Sequence, residues 1–405
     1  MNSENSENSE NSEGSENSEN SESSAPYSFI FMPSSLLYTI ALTRMTGFNF
    51  QTALQLYREL GSGQAVYEHR TDIADVIPQC SPRLVKSLQN WDDALARAEA
   101  ELAFIQKHHI RPLLLGDPDY PQRLTECADA PLVLYYMGSA NLNARRVVSI
   151  VGTRHATAYG RDLIRRLMAD LRAMGVQPLV VSGLAYGVDI TAHSEALTQG
   201  FETVGVLAHG LDELYPPRHR DTAKLMLRQG GLLTEYMSQT RADKLNFVKR
   251  NRIVAGMSDA TVLVESAARG GGLITCSIAQ DYGRNVLAYP GAVGAPYSEG
   301  CNQLIRNNGA SLITSAQDLL EALGWQTDGQ QQQARSAGIE RELFPDLTIE
   351  EQLVVNTLSE RGDLQLNVLA VATNLSIGTL TALLFQLELK GVVRSLAGGA
   401  WHLLL

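Results

Sequence analysis

Cysteine is scarce in this chain of 405 residues, and its four cysteines lie far apart. Cys80, Cys127, Cys276 and Cys301 form no CxxC pair and have no companion histidine at a zinc-site spacing. The sequence therefore predicts neither a disulfide framework nor a metal site, and it favours a reducing compartment, the cytoplasm. No membrane span is expected, because the chain lacks a run of roughly 18 uninterrupted apolar residues and its start lacks the basic and apolar regions of a secretory signal.

Nucleotide-enzyme motifs are missing as well. The sequence has no GxxxxGK[ST] loop and no clean GxGxxG followed by a ribose-binding carboxylate, which argues against ATP hydrolysis and NAD chemistry. His155, His193 and His209 could act as bases, but no triad signature surrounds them. We therefore predict no cofactor and no catalytic residue.

Positive charge is concentrated in the middle of the chain. The formal net charge of −11 divides into −10 for residues 1–144, +3 for residues 145–327 and −4 for residues 328–405. A polyanionic ligand is therefore expected to bind the middle segment.

The segments on the N-terminal side differ sharply in composition. Residues 1–26 are predicted to be a disordered acidic tail, because residues 2–22 repeat Asn-Ser-Glu and contain no apolar residue. An alternative role is an electrostatic decoy that competes for a basic groove. Residues 27–105 show helical spacing and turns that favour a helical domain, SAM-like or helix-hairpin-helix-like. The turn at 46–49 has a single glycine, so an acidic packing domain is favoured over a phosphate-binding hairpin.

Residues 106–327 alternate short apolar runs with glycine-containing loops and amphipathic stretches. Such a pattern predicts a doubly wound α/β domain, Rossmann-like, with a parallel sheet covered on both faces. The predicted strands lie at 147–151, 178–181, 203–208, 231–236, 260–265, 285–289 and 310–313.

The C-terminal part begins with a polar linker, residues 328–345, followed by a small domain, residues 346–405. Two helices and a terminal hairpin predict a winged-helix-like fold. Its second helix, at about 376–390, offers Lys390 as its single cation. DNA reading needs cations on that helix, so the sequence favours a protein-contact module.

Three glycine-containing loops follow predicted strands. Gly152-Thr153-Arg154 combines a tight turn, a following helix N-terminus and a guanidinium, although an ordinary turn with a surface arginine explains it equally well. Gly183 follows the second strand, with Asp189 where a helix N-cap is expected. Gly270, Gly271 and Gly272 precede an apolar helix and could direct successive N–H groups at a phosphate.

Residues 244–252 contain cations, one aromatic ring and no acid. This composition is typical of a groove for single-stranded nucleic acid, where phosphates meet charge and a base stacks on the ring. Arg250 or Arg252 could instead be buried in an ion pair with an acid. The candidate residues here are Lys244, Phe247, Lys249, Arg250 and Asn251.

These motifs, in this order, resemble the DNA-processing protein A family (DprA, also called Smf). The resemblance spans roughly residues 110–325, and the terminal domains fit the family's longer members more weakly. Its motifs are VGTR (151–154), SGLAYGVD (182–189), AH (192–193), GLDELYP (210–216), TEY (234–236), RNRIVAGMS (250–258), ES (265–266), GGGLIT (270–275), YPG (289–291) and GCNQLIRNNGA (300–310).

The resemblance implies a homodimeric, non-enzymatic protein that binds single-stranded DNA without sequence preference. In natural transformation, or competence, such a protein protects incoming strands and loads the RecA recombinase on them. The implied DNA-binding positions are Gly152, Arg154, Gly183, Lys249, Arg250, Asn251 and the loop at 270–272. Two alternatives remain: a phosphoribohydrolase-type nucleotide enzyme assisted by Glu265 or Asp189, and a hub defined by its terminal domains.

Overall fold

The computed structural model describes residues 34–45, 49–77, 80–325, 347–396 and 399–404. These residues divide into two compact units, one within residues 1–115 and 129–134, the other within residues 116–128 and 135–405. The predicted acidic tail at 1–26 and the predicted linker at 328–345 lie outside the described residues. The domain boundaries drawn from the sequence stay predictions.

The first unit is helical, which confirms the predicted fold of this region. Asn49 caps the second helix by accepting the Thr52 N–H at 3.0 Å, and Gly61 ends it with a φ of 84°. Its elements are α1 (Ser34–Leu42), α2 (Phe50–Leu60), α3 (Gly63–Glu68), α4 (Ile73–Val76), α5 (Pro82–Leu88), α6 (Asp92–Lys107) and β1 (Arg111–Leu114). Likeness to a SAM or helix-hairpin-helix module stays a prediction.

The second unit is built on a β-sheet, to which the strand Val133–Gly138 contributes its last four residues. Its strands are β2 (Val133–Gly138), β3 (Val147–Val151), β4 (Leu179–Ser182), β5 (Thr203–Val206), β6 (Gly230–Thr234), β7 (Ala260–Leu263), β8 (Asn285–Ala288) and β9 (Ser311–Leu312). They follow the order β2-β6-β5-β4-β3-β7-β8-β9. From β3, near the centre of the sheet, the chain adds β4, β5 and β6 in turn on one side. It then returns to add β7, β8 and β9 on the other side of β3.

The parallel sheet expected from the sequence is confirmed from β6 to β9, with one difference. Strand β2 pairs antiparallel with β6, Tyr135 lying opposite Thr234, so the sheet is mixed. The sequence pattern missed β2 because no glycine loop and helix follow it. The helices of this unit are α7 (Gln122–Thr125), α8 (Ala158–Ala173), α9 (Val188–Thr198), α10 (Arg220–Arg228), α11 (Lys244–Gly256), α12 (Gly271–Asp281), α13 (Glu299–Arg306) and α14 (Ala316–Leu323).

Apolar strand residues explain the stability of this Rossmann-like arrangement. Val148 and Ile150 of β3 are fully buried, and Ile164 and Leu167 of α8 join the same core cluster. Because β3 to β7 are buried along their whole length, their sequences read as continuous apolar runs.

The C-terminal segment has the predicted winged-helix fold. Its elements are α15 (Ile349–Arg361), β10 (Leu364–Gln365), α16 (Leu366–Thr373), α17 (Ile377–Leu389), β11 (Val393–Ser395) and β12 (Ala400–Leu403). Lys390 donates to both carboxylate oxygens of Glu351, at 2.7 and 2.8 Å, so the cation expected near the second helix is already paired. The outer face of α17 exposes Ile377, Phe385 and Leu389.

Among the described residues, no single helix has the length and apolar composition needed to cross a membrane. Helices α16 and α17 meet that test only when taken together, and they are bent by 106° at the break between them.

Candidate functional site

A cavity of about 600 Å³ opens at the carboxyl ends of the parallel strands. Its size is within the range of about 300–1,000 Å³ typical of ligand pockets, and its position beside the central strand is where open α/β sheets bind ligands. The wall is formed by the loops after β3, β4 and β5, by helix α11 with the residues just before it, and by the starts of α9 and α12. Gly152, Arg154, Gly183, Asp189, Lys244, Phe247, Arg250, Asn251, Gly271 and Gly272 are among the lining residues.

Glycines let two walls of the cavity approach each other closely. A Cβ atom on Gly272 would lie 2.8 Å from Leu263 Cδ1 and 3.1 Å from Gly152 Cα, and one on Gly152 would lie 2.7 Å from the Glu265 carbonyl oxygen. A Cβ atom on Gly271 would meet nothing within 4 Å, so this residue leaves open space at the first turn of α12. The first amides of a helix have no intrahelical acceptor, which makes this turn suited to an anion.

Helix α11 presents one face to the cavity. The Asp243 carboxylate caps the helix by accepting the amides of Leu245 at 2.6 Å and Asn246 at 3.2 Å. The lining residues Lys244, Phe247, Val248, Asn251 and Val254 then recur at the spacing of one helical face.

Lys249 lies outside that face, so the structure brings Lys244 rather than Lys249 to the cavity. Lys249 is exposed, and it is not among the residues that line the cavity wall. Its predicted contact with DNA stays a prediction without support from this geometry.

Phe247 is the centre of an aromatic and cationic cluster. The guanidinium carbon of Arg154 lies 5.1 Å from the centre of its ring, and that of Arg250 lies 5.9 Å away. The ring of Tyr215 is 5.7 Å from that of Phe247, and Tyr215 also lines the cavity. Arg154 is exposed, so its charge is available at the opening of the cavity.

Arg250 supports the cavity from within, with only 4% of its surface exposed. Its Nη1 donates to the carbonyl oxygens of Gly183, at 2.7 Å, and Val206. Burial lowers the pKa of this guanidinium, and the negative charge of Asp189 opposes the shift. These contacts tie α11 to the ends of β4 and β5, so direct binding of Arg250 to phosphate stays a prediction.

Arg252 follows the alternative considered for it. Its guanidinium forms an ion pair with the Glu235 carboxylate, and both side chains are largely buried. Both arginines of residues 244–252 therefore point inward, whereas Lys244 of this segment and Arg154 of the loop after β3 are exposed at the cavity.

The expectation that Asp189 is an N-cap is wrong. Gly187 occupies the cap of α9, and Asp189 is the second helical residue, whose carboxylate accepts the Ala185 N–H at 3.3 Å. Burial raises the pKa of this carboxyl, with the charge of Arg250 acting in the opposite direction. The helix is capped two residues earlier than predicted because Gly187 supplies the φ of 77° at the end of the loop.

Thr153 and Gly270 lie behind the cavity wall. The Thr153 N–H donates to the Glu265 carbonyl at 2.7 Å, and its own carbonyl accepts the Val188 N–H at 3.1 Å. Gly270 is the residue before α12, packed against the Ser266 side chain. Neither is among the residues that line the cavity, so both are placed as backbone supports.

The histidines considered as bases have structural partners. His193 is fully buried with its Nδ1 2.7 Å from the Thr203 hydroxyl, and His209 lies between the Gly210 carbonyl and the Tyr215 amide. His155 is exposed, with its ring facing Tyr297. In the parts of the chain that the structure describes, no cluster of three or more His, Cys, Asp or Glu residues could hold a metal ion.

Sequence reasoning missed Tyr215 and Asp243 as site residues. Tyr215 lies within the GLDELYP motif and could have been found through it. Asp243 caps the helix that starts at Lys244. An Asp immediately before a segment is a signal for a helix start, so this capping role could also have been found from the sequence.

Fold and cavity together define a class: Rossmann-like α/β proteins with a ligand-sized cavity at the switch point of the sheet. Residues 111–324 match the family of DNA recombination-mediator protein A, and residues 342–399 match the DprA winged helix domain. The chain belongs to this DNA-processing protein A (DprA) family, as the sequence resemblance predicted.

Individual relatives agree with this membership. Protein Smf of Synechocystis is 33% identical over 72% of this chain and 80% of its own length. The putative DNA processing protein DprA of Mycobacterium tuberculosis is 34% identical over 76% of this chain and 80% of its own. The X-ray structure of DprA from Streptococcus pneumoniae superposes with a TM-score of 0.60 at 32% identity, covering 70% of this chain and 97% of that one.

Proposed function

We propose that this chain binds single-stranded DNA in the cavity of its Rossmann-like domain, without catalysing a reaction on it. The observation that carries the proposal is the arrangement of exposed Arg154 and Lys244 around the Phe247 ring, opposite the glycine-rich start of α12. Cations and helix amides would bind successive phosphates while the ring stacks on a base.

A single strand fits this arrangement better than a duplex. Stacking on Phe247 requires a base whose face is free, and only an unpaired strand presents one without breaking base pairs. The contacts available to the strand are charge, amides and an aromatic face, none of which distinguishes the bases. We therefore infer binding without strong sequence preference in this cavity.

We further propose the role that family membership suggests. The chain would protect incoming single strands and load RecA on them during natural transformation, acting as a homodimer in the cytoplasm. The four cysteines are free thiols in the structure, which is compatible with a reducing compartment. Light scattering with and without an oligonucleotide tests the homodimer, and RecA filament assembly on limiting single-stranded DNA tests the loading.

The winged-helix domain is proposed to contact protein. The exposed face of α17 carries Ile377, Phe385 and Leu389, while nearby Lys390 is paired with Glu351. An apolar outer face without a free cation suits a protein surface better than a phosphate backbone.

The phosphoribohydrolase alternative receives little support from the site. Glu265 is not among the residues that line the 600 Å³ cavity. Its two carboxylate oxygens accept hydrogen bonds from the N–H and the hydroxyl of Thr157. Asp189 does line that cavity, but its carboxylate accepts the Ala185 N–H at 3.3 Å, and the nearby charge of Arg250 counteracts the rise in its pKa that burial causes. Steady release of free base from nucleoside monophosphates would restore this alternative.

The decisive experiment is a fluorescence anisotropy titration of a labelled oligothymidine and of a duplex of equal length, at several salt concentrations. The wild type should bind the single strand more tightly, with affinity falling by about 0.7 log unit per phosphate contact for each log unit of salt. Arg154→Ala should weaken binding to every sequence about equally and lower the salt dependence.

Arg172→Ala is the matched control, because Arg172 is an exposed arginine in the last turn of α8, at the opposite edge of the sheet. Its affinity should equal that of the wild type. If Arg154→Ala binds the single strand as tightly as wild type at all salt concentrations, the cavity is not the binding site.

A further inference from the structure

A second cavity, of about 450 Å³, lies beside the first at the same edge of the sheet. It is lined by the start of α8, the beginning of the loop after β7, and the segment between β8 and α13. Its residues include Thr157, Tyr159, Glu265, Pro290, Ala295 and Tyr297. The wall is mostly apolar, and the function proposed above makes no use of it.

Glu265 supplies a buried carboxylate to this cavity, with 3% of its surface exposed. Its Oε1 accepts the Thr157 hydroxyl at 2.6 Å, and its Oε2 accepts the Thr157 N–H at 2.8 Å. Gly160, in the first turn of α8, has no room for a Cβ atom because Glu265 occupies that space. The carboxylate thus lies at the N-terminus of α8, the helix that follows β3. Many Rossmann folds bind phosphate at the corresponding position.

This placement determines the chemistry that the cavity can accept. A phosphate would be repelled, whereas a flat neutral group with N–H donors would be attracted. An ionised carboxylate has about four lone-pair directions, so accepting two hydrogen bonds from Thr157 leaves capacity on both oxygens of Glu265.

The side walls are suited to a planar ring. The Tyr159 hydroxyl donates to the Pro290 carbonyl at 2.7 Å, which fixes the ring of Tyr159 against the loop. Burial, reinforced by the charge of Glu265, raises the pKa of this hydroxyl, so it stays a donor. At the cavity, the ring of Tyr297 lies nearly parallel to that of His155, with 6.0 Å between their centres and 15° between their planes.

The loop after β3 connects the two cavities through its backbone. The Thr153 N–H donates to the Glu265 carbonyl at 2.7 Å, and Arg154 and His155 follow directly. Arg154 faces the first cavity, while His155 faces Tyr297 of the second. A strand with a phosphate at Arg154 would therefore pass His155 and reach the second cavity within the same binding event.

We propose that the second cavity is a base subsite that takes a guanine of the bound strand. The guanine N1–H and its exocyclic N2–H are adjacent donors that can reach the two oxygens of Glu265 together, an arrangement the other DNA bases do not offer. The proposal rests on the single-strand binding inferred above and adds a modest base preference at one position. It assigns Tyr297 as the ring beside the base and His155 as the ring against which Tyr297 packs.

The test compares labelled oligonucleotides of equal length: thymine only, alternating thymine and guanine, and alternating thymine and hypoxanthine. Hypoxanthine keeps N1–H and lacks the exocyclic amino group. The wild type should bind the guanine strand about tenfold more tightly than the thymine strand, with the hypoxanthine strand between them.

Ala295→Phe fills the second cavity, and Val293→Phe is its matched control because Val293 is 99% exposed on the same loop and does not line the cavity. Ala295→Phe should remove the preference for guanine while leaving the affinity for the thymine strand unchanged. Val293→Phe should keep both. Glu265→Gln replaces one acceptor oxygen by a donor and should also remove the preference.

Two outcomes would overturn the guanine subsite and leave the proposed function intact. They are equal wild-type affinities for the guanine and thymine strands, and a preference for guanine that survives in Ala295→Phe. Failure of the wild type to bind any of the single strands in a salt-dependent manner would instead overturn the proposed function. The thymine strand, which does not need the second cavity, separates these two results.

Discussion

The guanidinium carbon of Arg154 lies 5.1 Å from the centre of the Phe247 ring. The two residues come from different elements, the loop after β3 and helix α11, so the contact fixes an exposed cation beside an aromatic face before any ligand binds. Cation–π attraction of this kind is worth about 0.5–1 kcal/mol at an exposed site. The arrangement is thereby preorganised for a ligand that carries both a negative charge and a flat ring.

Replacing the ring should weaken single-strand binding more than duplex binding. Phe247→Ala is expected to reduce the affinity for an oligothymidine by about tenfold or more, since stacking contributes about 1–3 kcal/mol per base. Phe247→Tyr should stay within about threefold of wild type because it keeps the aromatic face. Leu245→Ala is the control, because Leu245 is 68% exposed on α11 and does not line the cavity. Equal affinities of Phe247→Ala and Leu245→Ala would contradict a stacking role.

The two lysines of α11 should differ in their effects. Lys244 lines the cavity, whereas Lys249 lies on another face of the helix. Lys244→Ala should lower the slope of log affinity against log salt by about 0.7, the value for one phosphate contact on a single strand. Lys249→Ala should leave the slope near that of wild type. A larger effect for Lys249 in the same titrations would show that the strand leaves the cavity along the other side of α11.

Adjacent glycines at the start of α12 should also behave differently. Gly272→Ala brings a Cβ atom to 2.8 Å from Leu263 Cδ1 and 3.1 Å from Gly152 Cα, which should lower the free energy of unfolding by about 1–3 kcal/mol. Gly271→Ala meets open space and should be neutral or stabilise by about 0.4–1 kcal/mol. Urea unfolding followed by circular dichroism measures both. Equal losses would mean that the contact between the two loops is not as close as described.

His193 should make stability depend on pH. It is fully buried, and burial, followed by the charges of Arg250 and His219, lowers the pKa of its imidazole to about 3 from the usual 6.5. Its neutral Nδ1–H can donate to Thr203, whose hydroxyl donates onward to the Val180 carbonyl at 2.9 Å. The unfolded chain therefore binds a proton that the folded chain does not between about pH 6.5 and 3.

The contribution of neutral His193 to the free energy of unfolding is therefore fully present above pH 6.5. It decreases as the pH falls, by about 2–3 kcal/mol at pH 4.5. His193→Asn keeps a donor for Thr203 and cannot titrate. The difference between the unfolding free energies of wild type and variant, measured from pH 7 to pH 4.5, should shrink by that amount. A constant difference would show that His193 is not held neutral in the folded chain.

The sequence was sufficient for the central strands and for much of the cavity. Val147–Val151 and Ala260–Leu263 are continuous apolar runs because both faces of those strands are covered. Gly152, Arg154 and Gly183 were predicted from the loops that follow such strands, and all three line the cavity. Strand ends can be located from local composition, and the geometry of a parallel sheet then brings them to one edge.

What could not be predicted depends on contacts between distant segments. Arg154 and Arg250 both stand in motifs of the same family, yet Arg250 points inward because the carbonyls of Gly183 and Val206 from two other strand ends accept its hydrogens. The composition of residues 244–252 identified Lys244, Phe247 and Asn251 as candidates, but it did not indicate that they share the face of α11 that lines the cavity. Side-chain direction is a tertiary property that spacing alone does not determine.

The walls of the first cavity come from segments that are separated by more than a hundred residues, from Gly152 to Gly272. No short peptide from this chain can therefore reproduce the site, and each wall is positioned by the sheet as a whole. Ligand affinity and cooperative unfolding are consequently coupled: a saturating strand should raise the melting temperature, and the denaturant midpoint for strand release should coincide with that for loss of helix signal.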